Sequence, residues 1–148
     1  AALHSDMKAL SKYIKSRPST IKMTLAFSGH LLVNQGLHLF ISFIAFSNTL
    51  THLDISSCVL SGKELEMFSV ALSANTSLKS FAFENCFING EGIELLSNEL
   101  EENHTLLGLD LRNNFIGTNG ATALASMLAV NTSLKILSFG RSFSINCS

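Results

Sequence analysis

Apolar residues recur along this chain at a fixed interval of 28 positions. The clearest unit is the stretch 106–116, which follows the pattern L-x-x-L-x-L-x-x-N-x-I. Steps of 28 residues from Leu109 reach an apolar residue each time, and the residue two positions further on is also apolar. The residues reached are Leu25, Leu53, Phe81 and Leu137. Self-similarity at such a period predicts an architecture of stacked repeats.

Each unit predicts one short strand, a turn and one helix. Apolar and polar residues alternate at the start of the unit, whereas apolar residues follow at intervals of three to four positions later on. A glycine in each of the last three units marks the turn between them: Gly62, Gly90 and Gly117. The four predicted repeats cover about 22–47, 50–74, 78–102 and 106–130.

We predict a single domain over 1–148, with four repeats within 21–130 and shorter pieces at both ends. Residues 2–16 place apolar side chains at helical spacing and predict the helix of a partial first repeat. Residues 131–148 contain a fifth strand and a tail that loses the pattern at Ser144. This tail is either a polar end cap or the point at which a longer array has been cut.

The predicted helix of the first repeat, Leu37 to Phe46, is apolar on almost every side. Ile41, Phe43 and Phe46 exceed what the core requires, because the third repeat has polar residues in the same columns. A helix of this kind is normally covered by another element. The covering element is either the N-terminal helix or a partner. A second copy of the chain, bound through the Phe43/Phe46 face, is one such partner.

The 28-residue unit resembles the leucine-rich repeat of the ribonuclease-inhibitor type over residues 20–142. This resemblance implies an α/β solenoid, with a curved parallel sheet on the concave side and helices on the convex side. It also implies a binding surface for another protein. The content of Phe, Ile, Asn and Ser is similar, more weakly, to that of leucine-rich repeat effectors of intracellular bacteria.

Cys58 and Cys86 occupy the ninth position of the repeat, where the clearest unit has Asn114. The resemblance implies that Asn or Cys at this position bonds to buried backbone in the turn, so we interpret both cysteines as structural. A bridge between them is not excluded by distance, since adjacent strands lie ~4.8 Å apart. The Asn-x-Ser/Thr sequences at 75, 103 and 131 match a glycosylation acceptor. Because they recur with the repeat, we interpret them as turn residues.

Charge and hydropathy exclude several classes of partner. The net charge is −1 and 14% of residues are charged, which argues against binding of nucleic acid through clustered cations. The apolar stretch from Leu37 to Phe46 is about half as long as a membrane span requires. No signal peptide is indicated, and a cytoplasmic location is expected, or the cytosol of a host cell if the effector resemblance holds.

Residues between the core positions of the strands are expected to face the concave side. They are mostly small, with a group of charged and ionisable side chains among them: His52, Asp54, Glu84, Asp110 and Arg112, with Arg141 towards the C-terminal end. This group is either an ordinary solvated face or a surface that fixes the register of a partner protein.

A second candidate surface follows the strands. The position after the ninth one is apolar in every unit: Leu31, Val59, Phe87, Phe115 and Phe143. These residues either pack on one another or anchor a partner. The exposed face of the five strands has an area of only ~300–400 Å². A standard interface buries ~800 Å² on each partner, so a stable partner should also contact this column, and Phe87 and Phe115 above all.

The sequence therefore predicts a non-catalytic protein-binding module, inhibitor-like or effector-like, that recognises and occludes a partner protein. The alternative is a repeat fragment of a larger receptor or of a cytoskeletal, actin-regulatory scaffold. No cofactor or metal is expected, because the five histidines lack metal-ligand spacing and no Gly-rich phosphate motif is present. His52 and Asp54 are residue types that occur in catalytic pairs, but no nucleophile accompanies them in the sequence. Catalysis is therefore not predicted.

Overall fold

The computed structural model of the protein describes residues 35–141, the strands at 21–24 and 143–146, and the single positions 9, 12 and 16. The predicted helix over 2–16 lies almost entirely outside the described residues. The elements in chain order are β1 (Ile21–Thr24), α1 (Gln35–Phe46), β2 (Leu50–Asp54), α2 (Gly62–Ala74), β3 (Ser80–Ala82), α3 (Gly90–Glu101), β4 (Gly108–Asp110), α4 (Gly117–Val130), β5 (Ile136–Phe139) and β6 (Phe143–Asn146).

The six described strands form one sheet in sequence order, and β1 to β5 run parallel. The predicted marker residues lie side by side: Leu53 pairs with Phe81, Phe81 with Leu109, and Leu109 with Leu137. All four are at most 2% exposed. Each helix connects two neighbouring strands and packs on the next helix. The leucine-rich repeat solenoid predicted from the 28-residue period is therefore confirmed.

Aromatic rings fill the core between the sheet and the helices. The ring of Phe68 on α2 lies edge-on to that of Phe83, with the ring centroids 6.0 Å apart. Phe81 and Phe83 approach to 4.2 Å, and Phe40 on α1 contacts Phe68 at 6.5 Å. This cluster joins the first two described helices to β3. Among the described residues, none of the helices combines the length and the apolar character that a membrane crossing needs.

Buried asparagines link each repeat to the one before it. The Asn103 side chain is 1% exposed, and its Nδ2 donates to the carbonyl of Leu72 at 2.6 Å. Its Oδ1 accepts the backbone N–H groups of Thr105 and Leu106. Asn75 and Asn131 make the equivalent bonds in their own repeats. The interpretation of these sites as turn residues is confirmed, because the amide that glycosylation would require is buried and bonded.

Two predicted column assignments at the ends of the sheet are wrong. In β1, Met23 pairs with Leu53, whereas the 28-residue period placed Leu25 there. A register shift after Ile21 accounts for part of this difference, since the first unit has no regular apolar start. At the other end, Phe143 pairs antiparallel with Phe139 in β6 and does not extend the turn column. Residues 143–146 thus fold back along the edge of β5.

Ile41 and Phe43 are buried, as the prediction that another element covers this helix requires. They are 7% and 6% exposed, and Ser69 and Ser97, which follow Ile41 at 28-residue steps, are each 1% exposed. The column is thus buried in the first three repeats whatever its residue type, whereas Ala125, at the same position of α4, is exposed because no described helix follows α4. Of the three residues Ile41, Phe43 and Phe46, only Phe46 projects from α1, with 86% of its surface exposed. Because Phe43 is buried, it cannot contact a second copy of the chain. Self-association through this helix stays a prediction for Phe46 only.

Candidate protein-binding surface

The side of the sheet away from the helices, here called the open sheet face, carries the charged residues that the sequence predicted for it. Their side chains alternate with buried core residues along β2 to β4 and are partly buried. They are therefore fixed by strand geometry and still reachable by a partner. The group consists of His52, Asp54, Glu84, Asp110 and Arg112.

Three of these residues form one bonded group, the charged cluster of Glu84, Asp110 and Arg112. Nε of Arg112 donates to both carboxylate oxygens of Asp110 at 3.0 Å, and Nη2 donates to Oδ2 at 2.6 Å. Nη2 also donates to Oε2 of Glu84 at 3.0 Å, across the repeat boundary. Asn113, which the sequence analysis missed, donates to the other oxygen of Glu84 at 3.0 Å.

The charged cluster holds two carboxylates and one guanidinium, so it has a negative balance. The hydrogen bonds and the charge of Asp110 raise the pKa of Arg112, which keeps the guanidinium charged. The side chains are between 23% and 37% exposed, and ion pairs this accessible contribute about 0–1 kcal/mol to stability. The cluster matters less for the stability of the fold than for the shape and potential of the open sheet face.

The other predicted polar residues lie outside this cluster. Oδ1 of Asp54 accepts the backbone N–H of Ser56 at 2.9 Å, which closes the turn after β2. The ring of His52 bonds to Oγ1 of Thr51 at 3.0 Å, so it is not oriented by Asp54 as a catalytic pair would require. Arg141 is exposed at the turn after β5.

Apolar side chains form an exposed strip along the turns that leave the strands. This turn ridge consists of Val59, Phe87 and Phe115, which are 50%, 54% and 65% exposed. The rings of Phe87 and Phe115 contact each other, with centroids 6.1 Å apart and planes inclined by 45°. Mutual packing is thus present, and more than half of each ring is still open to a partner.

The backbone holds the turn ridge firmly. Oδ1 of Asn114 accepts the N–H groups of Cys86 and Ile88 at 3.0 Å, on either side of Phe87. The N–H of Phe115 donates to the carbonyl of Ile88 at 2.7 Å. Between these bonds Phe87 has a φ of 59°, a left-handed conformation that a bulky residue rarely adopts. Such strained residues concentrate at functional sites.

A groove of about 270 Å³ opens beside Phe87, between the turn and the start of α3. Its lining combines the apolar residues Leu60, Leu65 and Ile88 with the polar residues Asn89 and Glu91. Leu95, which the sequence analysis did not single out, is 39% exposed on its side.

The ninth-position residues have the structural role that the repeat pattern implied. Nδ2 of Asn114 donates to the carbonyls of Phe83 and Leu111, and Sγ of Cys86 lies 3.5 Å from the carbonyl of Ile55. Cys58 and Cys86 are buried thiols, and no disulfide joins them. Within the described part of the chain, no three His, Cys, Asp or Glu side chains are grouped to hold a metal ion.

Comparison with known proteins identifies the repeats. The Leucine Rich repeat family model matches residues 46–69 and 102–125. The actin-binding site 2 of leiomodin-1 has a similar structure, with a TM-score of 0.73 and 17% identity over 93% of this chain and 79% of that one. The tropomodulin C-terminal domain from Caenorhabditis elegans has a TM-score of 0.73 and 15% identity, over 93% and 83%. No curated protein matches the sequence. At these identities the likeness establishes the fold alone.

Proposed function

We propose that this leucine-rich repeat solenoid is a non-catalytic protein-binding module that recognises and occludes the surface of a partner protein. The observation that carries the proposal is the turn ridge, where two aromatic rings more than half exposed lie beside the charged cluster. Phe87 and Phe115 each follow a residue of that cluster by three positions. One partner can therefore contact both surfaces at once.

The two surfaces supply different parts of recognition. Exposed aromatic residues that become buried on binding supply much of the binding energy at protein interfaces. Charged groups fix the register of the partner and raise the association rate. The bonds from Arg112 to Asp110 and Glu84 hold these charges in place before a partner arrives. Less side-chain entropy is then lost on binding.

A more specific candidate is a role in actin regulation, as part of a larger scaffold. It is supported by the two structural relatives, since one is named for an actin-binding site and the other is a tropomodulin domain. Purified actin provides a direct test, in which binding to monomers and sedimentation with filaments are measured separately. Micromolar or tighter binding that is weakened by Phe115→Ala supports this candidate, and no binding of either form excludes it.

The general proposal is tested by affinity capture from source cells with four forms of the protein. Arg112→Glu and Phe115→Ala each alter one part of the proposed surface. Phe46→Ala is the matched control, because Phe46 is an exposed aromatic residue on the helical side. We expect a specific protein to be recovered by the wild type and Phe46→Ala and to be depleted with the other two. Equal recovery by all four forms would remove the proposed surface.

The proposal also places the protein in a reducing compartment, the cytoplasm or the cytosol of a host cell. Cys58 and Cys86 are buried in neighbouring repeats as thiols with no disulfide between them, which suits a protein that folds without oxidation. Fractionation with a tagged chain tests this location, and recovery in an oxidising compartment would contradict it.

A further inference from the structure

We infer that the turn ridge receives an amphipathic α-helix of the partner, with an apolar stripe along the ridge and basic residues towards the open sheet face. This inference rests on the proposed function and adds the chemistry of the occupant. It follows from the spacing of the aromatic rings, the groove beside them, and the signs of the charges on both sides.

The spacing of the rings suits a helix. The centroids of Phe87 and Phe115 are 6.1 Å apart. Residues i and i+4 of an α-helix rise by ~6.0 Å along its axis and lie on one face. In an extended strand the residues of one face repeat every ~6.7 Å, which matches the ring spacing less closely. A helix laid across this pair of rings therefore places residues i and i+4 against Phe87 and Phe115.

The groove beside Phe87 gives that helix a place for one anchoring side chain. Its volume of about 270 Å³ suits a leucine, methionine or phenylalanine, which would contact Leu60, Leu65 and Ile88, while Asn89 and Glu91 lie on the same lining. Val59, Phe87 and Phe115 continue the apolar contact on the outer side of the turn. Burying this surface adds to the small area of the open sheet face, which a stable interface requires.

The charges select a basic helix over an acidic one. Asp54, Glu84 and Asp110 carry three negative charges on the open sheet face, Arg112 returns one positive charge, and Arg141 adds a second at the C-terminal end, away from Phe87. Glu91 lies on the lining of the groove. A helix with Lys or Arg beside its apolar stripe meets carboxylates there, whereas a helix with Glu in those positions meets like charge.

The conformation of Phe87 supports the assignment independently. Its φ of 59° directs a bulky apolar side chain outwards at a turn where a polar residue would be less costly. Hydrogen bonds to Asn114 on both sides maintain this conformation. The ridge is thus held in a strained, exposed form before any partner binds.

Two synthetic peptides of the same length and apolar pattern test this inference on the full chain. One is a fourteen-residue helix of Leu and Lys, and the other has Glu in place of every Lys. Fluorescence anisotropy at low and at physiological salt gives both dissociation constants. We expect the Leu/Lys peptide to bind at least about tenfold more tightly than the Leu/Glu peptide, and Phe115→Ala to weaken it by about tenfold.

Two further variants assign the binding site. Phe46→Ala should leave the dissociation constant within about twofold, because it removes an aromatic residue of similar exposure elsewhere. Glu84→Gln should weaken the Leu/Lys peptide at low salt, and the effect should shrink as salt is added. Equal binding of both peptides, or equal losses in Phe46→Ala and Phe115→Ala, would overturn the inference. Circular dichroism of each variant shows that the fold is retained.

Failure of this inference is distinguishable from failure of the proposed function. If a captured partner depends on Phe115 and Arg112 but the Leu/Lys peptide neither binds nor competes with it, the helix is excluded and the binding module stands. If the peptide binds at the ridge and displaces the captured partner, both are supported.

Discussion

The rings of Phe87 and Phe115 lie 6.1 Å apart although 28 residues separate them in the sequence. The same interval brings Nη2 of Arg112 to 3.0 Å from Oε2 of Glu84. Both contacts arise because stacking converts each position of the repeat into a continuous row. A surface built in this way extends over several repeats, and each repeat contributes one residue to every row.

A first prediction concerns the turn after β2. Ser57 has a φ of 63°, and the residues in the same row, Asn85 and Asn113, have values of 56° and 57°. Asparagine tolerates this left-handed conformation better than serine does. Ser57→Asn should therefore raise the free energy of unfolding by about 0.5–1 kcal/mol, as measured by urea denaturation. The reverse change, Asn85→Ser, should lower it by a similar amount, and opposite signs would contradict this account.

The buried asparagine row gives a second prediction. Asn103→Ala removes the Nδ2 bond to Leu72 and leaves the N–H groups of Thr105 and Leu106 without their acceptor. The cost should be about 2–4 kcal/mol, because each buried group without a partner costs about 1–3 kcal/mol. The neighbouring His104 is exposed, and His104→Ala should cost less than about 0.5 kcal/mol. Similar urea midpoints for the two variants would show that the row does not tie the repeats together.

Much of this architecture follows from the sequence, because one period governs both strand register and burial. Leu53, Phe81 and Leu109 occupy one inner row, as their 28-residue spacing requires. Alternation then places Asp110 and Arg112 on the same face, and stacking places Glu84 beside them. The contacts of the charged cluster were therefore implicit in the repeat, although the role of Asn113 was overlooked.

The features that could not be predicted lie where the period no longer determines the structure. At β1 a register shift puts Met23 opposite Leu53, and at the other end Phe143 turns back in a hairpin. Gly140, with a φ of 75°, lies in the turn that reverses the chain. Hydrophobicity indicates that Phe43 and Phe46 both favour burial, but it cannot show which of the two positions has a neighbour, and the structure buries Phe43 and exposes Phe46. The partner itself leaves no pattern in the sequence.

Close packing of α3 on α4 gives a third prediction. A Cβ added at Gly120 would lie 2.9 Å from Cγ2 of Ile116 and 3.2 Å from Cβ of Ile93. Gly120→Ala should therefore cost about 1–3 kcal/mol through overpacking. At Gly62 an added Cβ meets no atom within 4 Å, and Gly62→Ala should change stability by less than about 1 kcal/mol. Thermal denaturation compares the two, and equal effects would refute close packing as the reason for glycine at position 120.

Ionisation of the Cys86 thiol makes the free energy of unfolding depend on pH in the alkaline range. Burial is the main cause that raises the pKa of Cys86 from 9.0 to about 12. The folded protein therefore keeps the thiol protonated while the unfolded chain ionises above pH 9, so this stability is complete below pH 9 and is lost as the pH rises towards 12. Between pH 7.5 and 10 the wild type should lose about 1 kcal/mol more than Cys86→Ala. Parallel pH profiles of the two proteins in urea titrations would contradict this assignment.

The central claim is that a partner protein lies against the turn ridge, and site-directed photo-crosslinking tests it most directly. The photoreactive amino acid p-benzoylphenylalanine is placed at position 115 in one protein and at position 46 in another, since both positions hold exposed phenylalanines on different sides of the molecule. After irradiation in source cells, adducts are compared by mass. The account predicts one specific adduct with a different protein from position 115 and no such adduct from position 46, where self-association gives only an adduct between two copies of the chain. The same adduct from both positions, or an adduct with a different protein from position 46 alone, would contradict it.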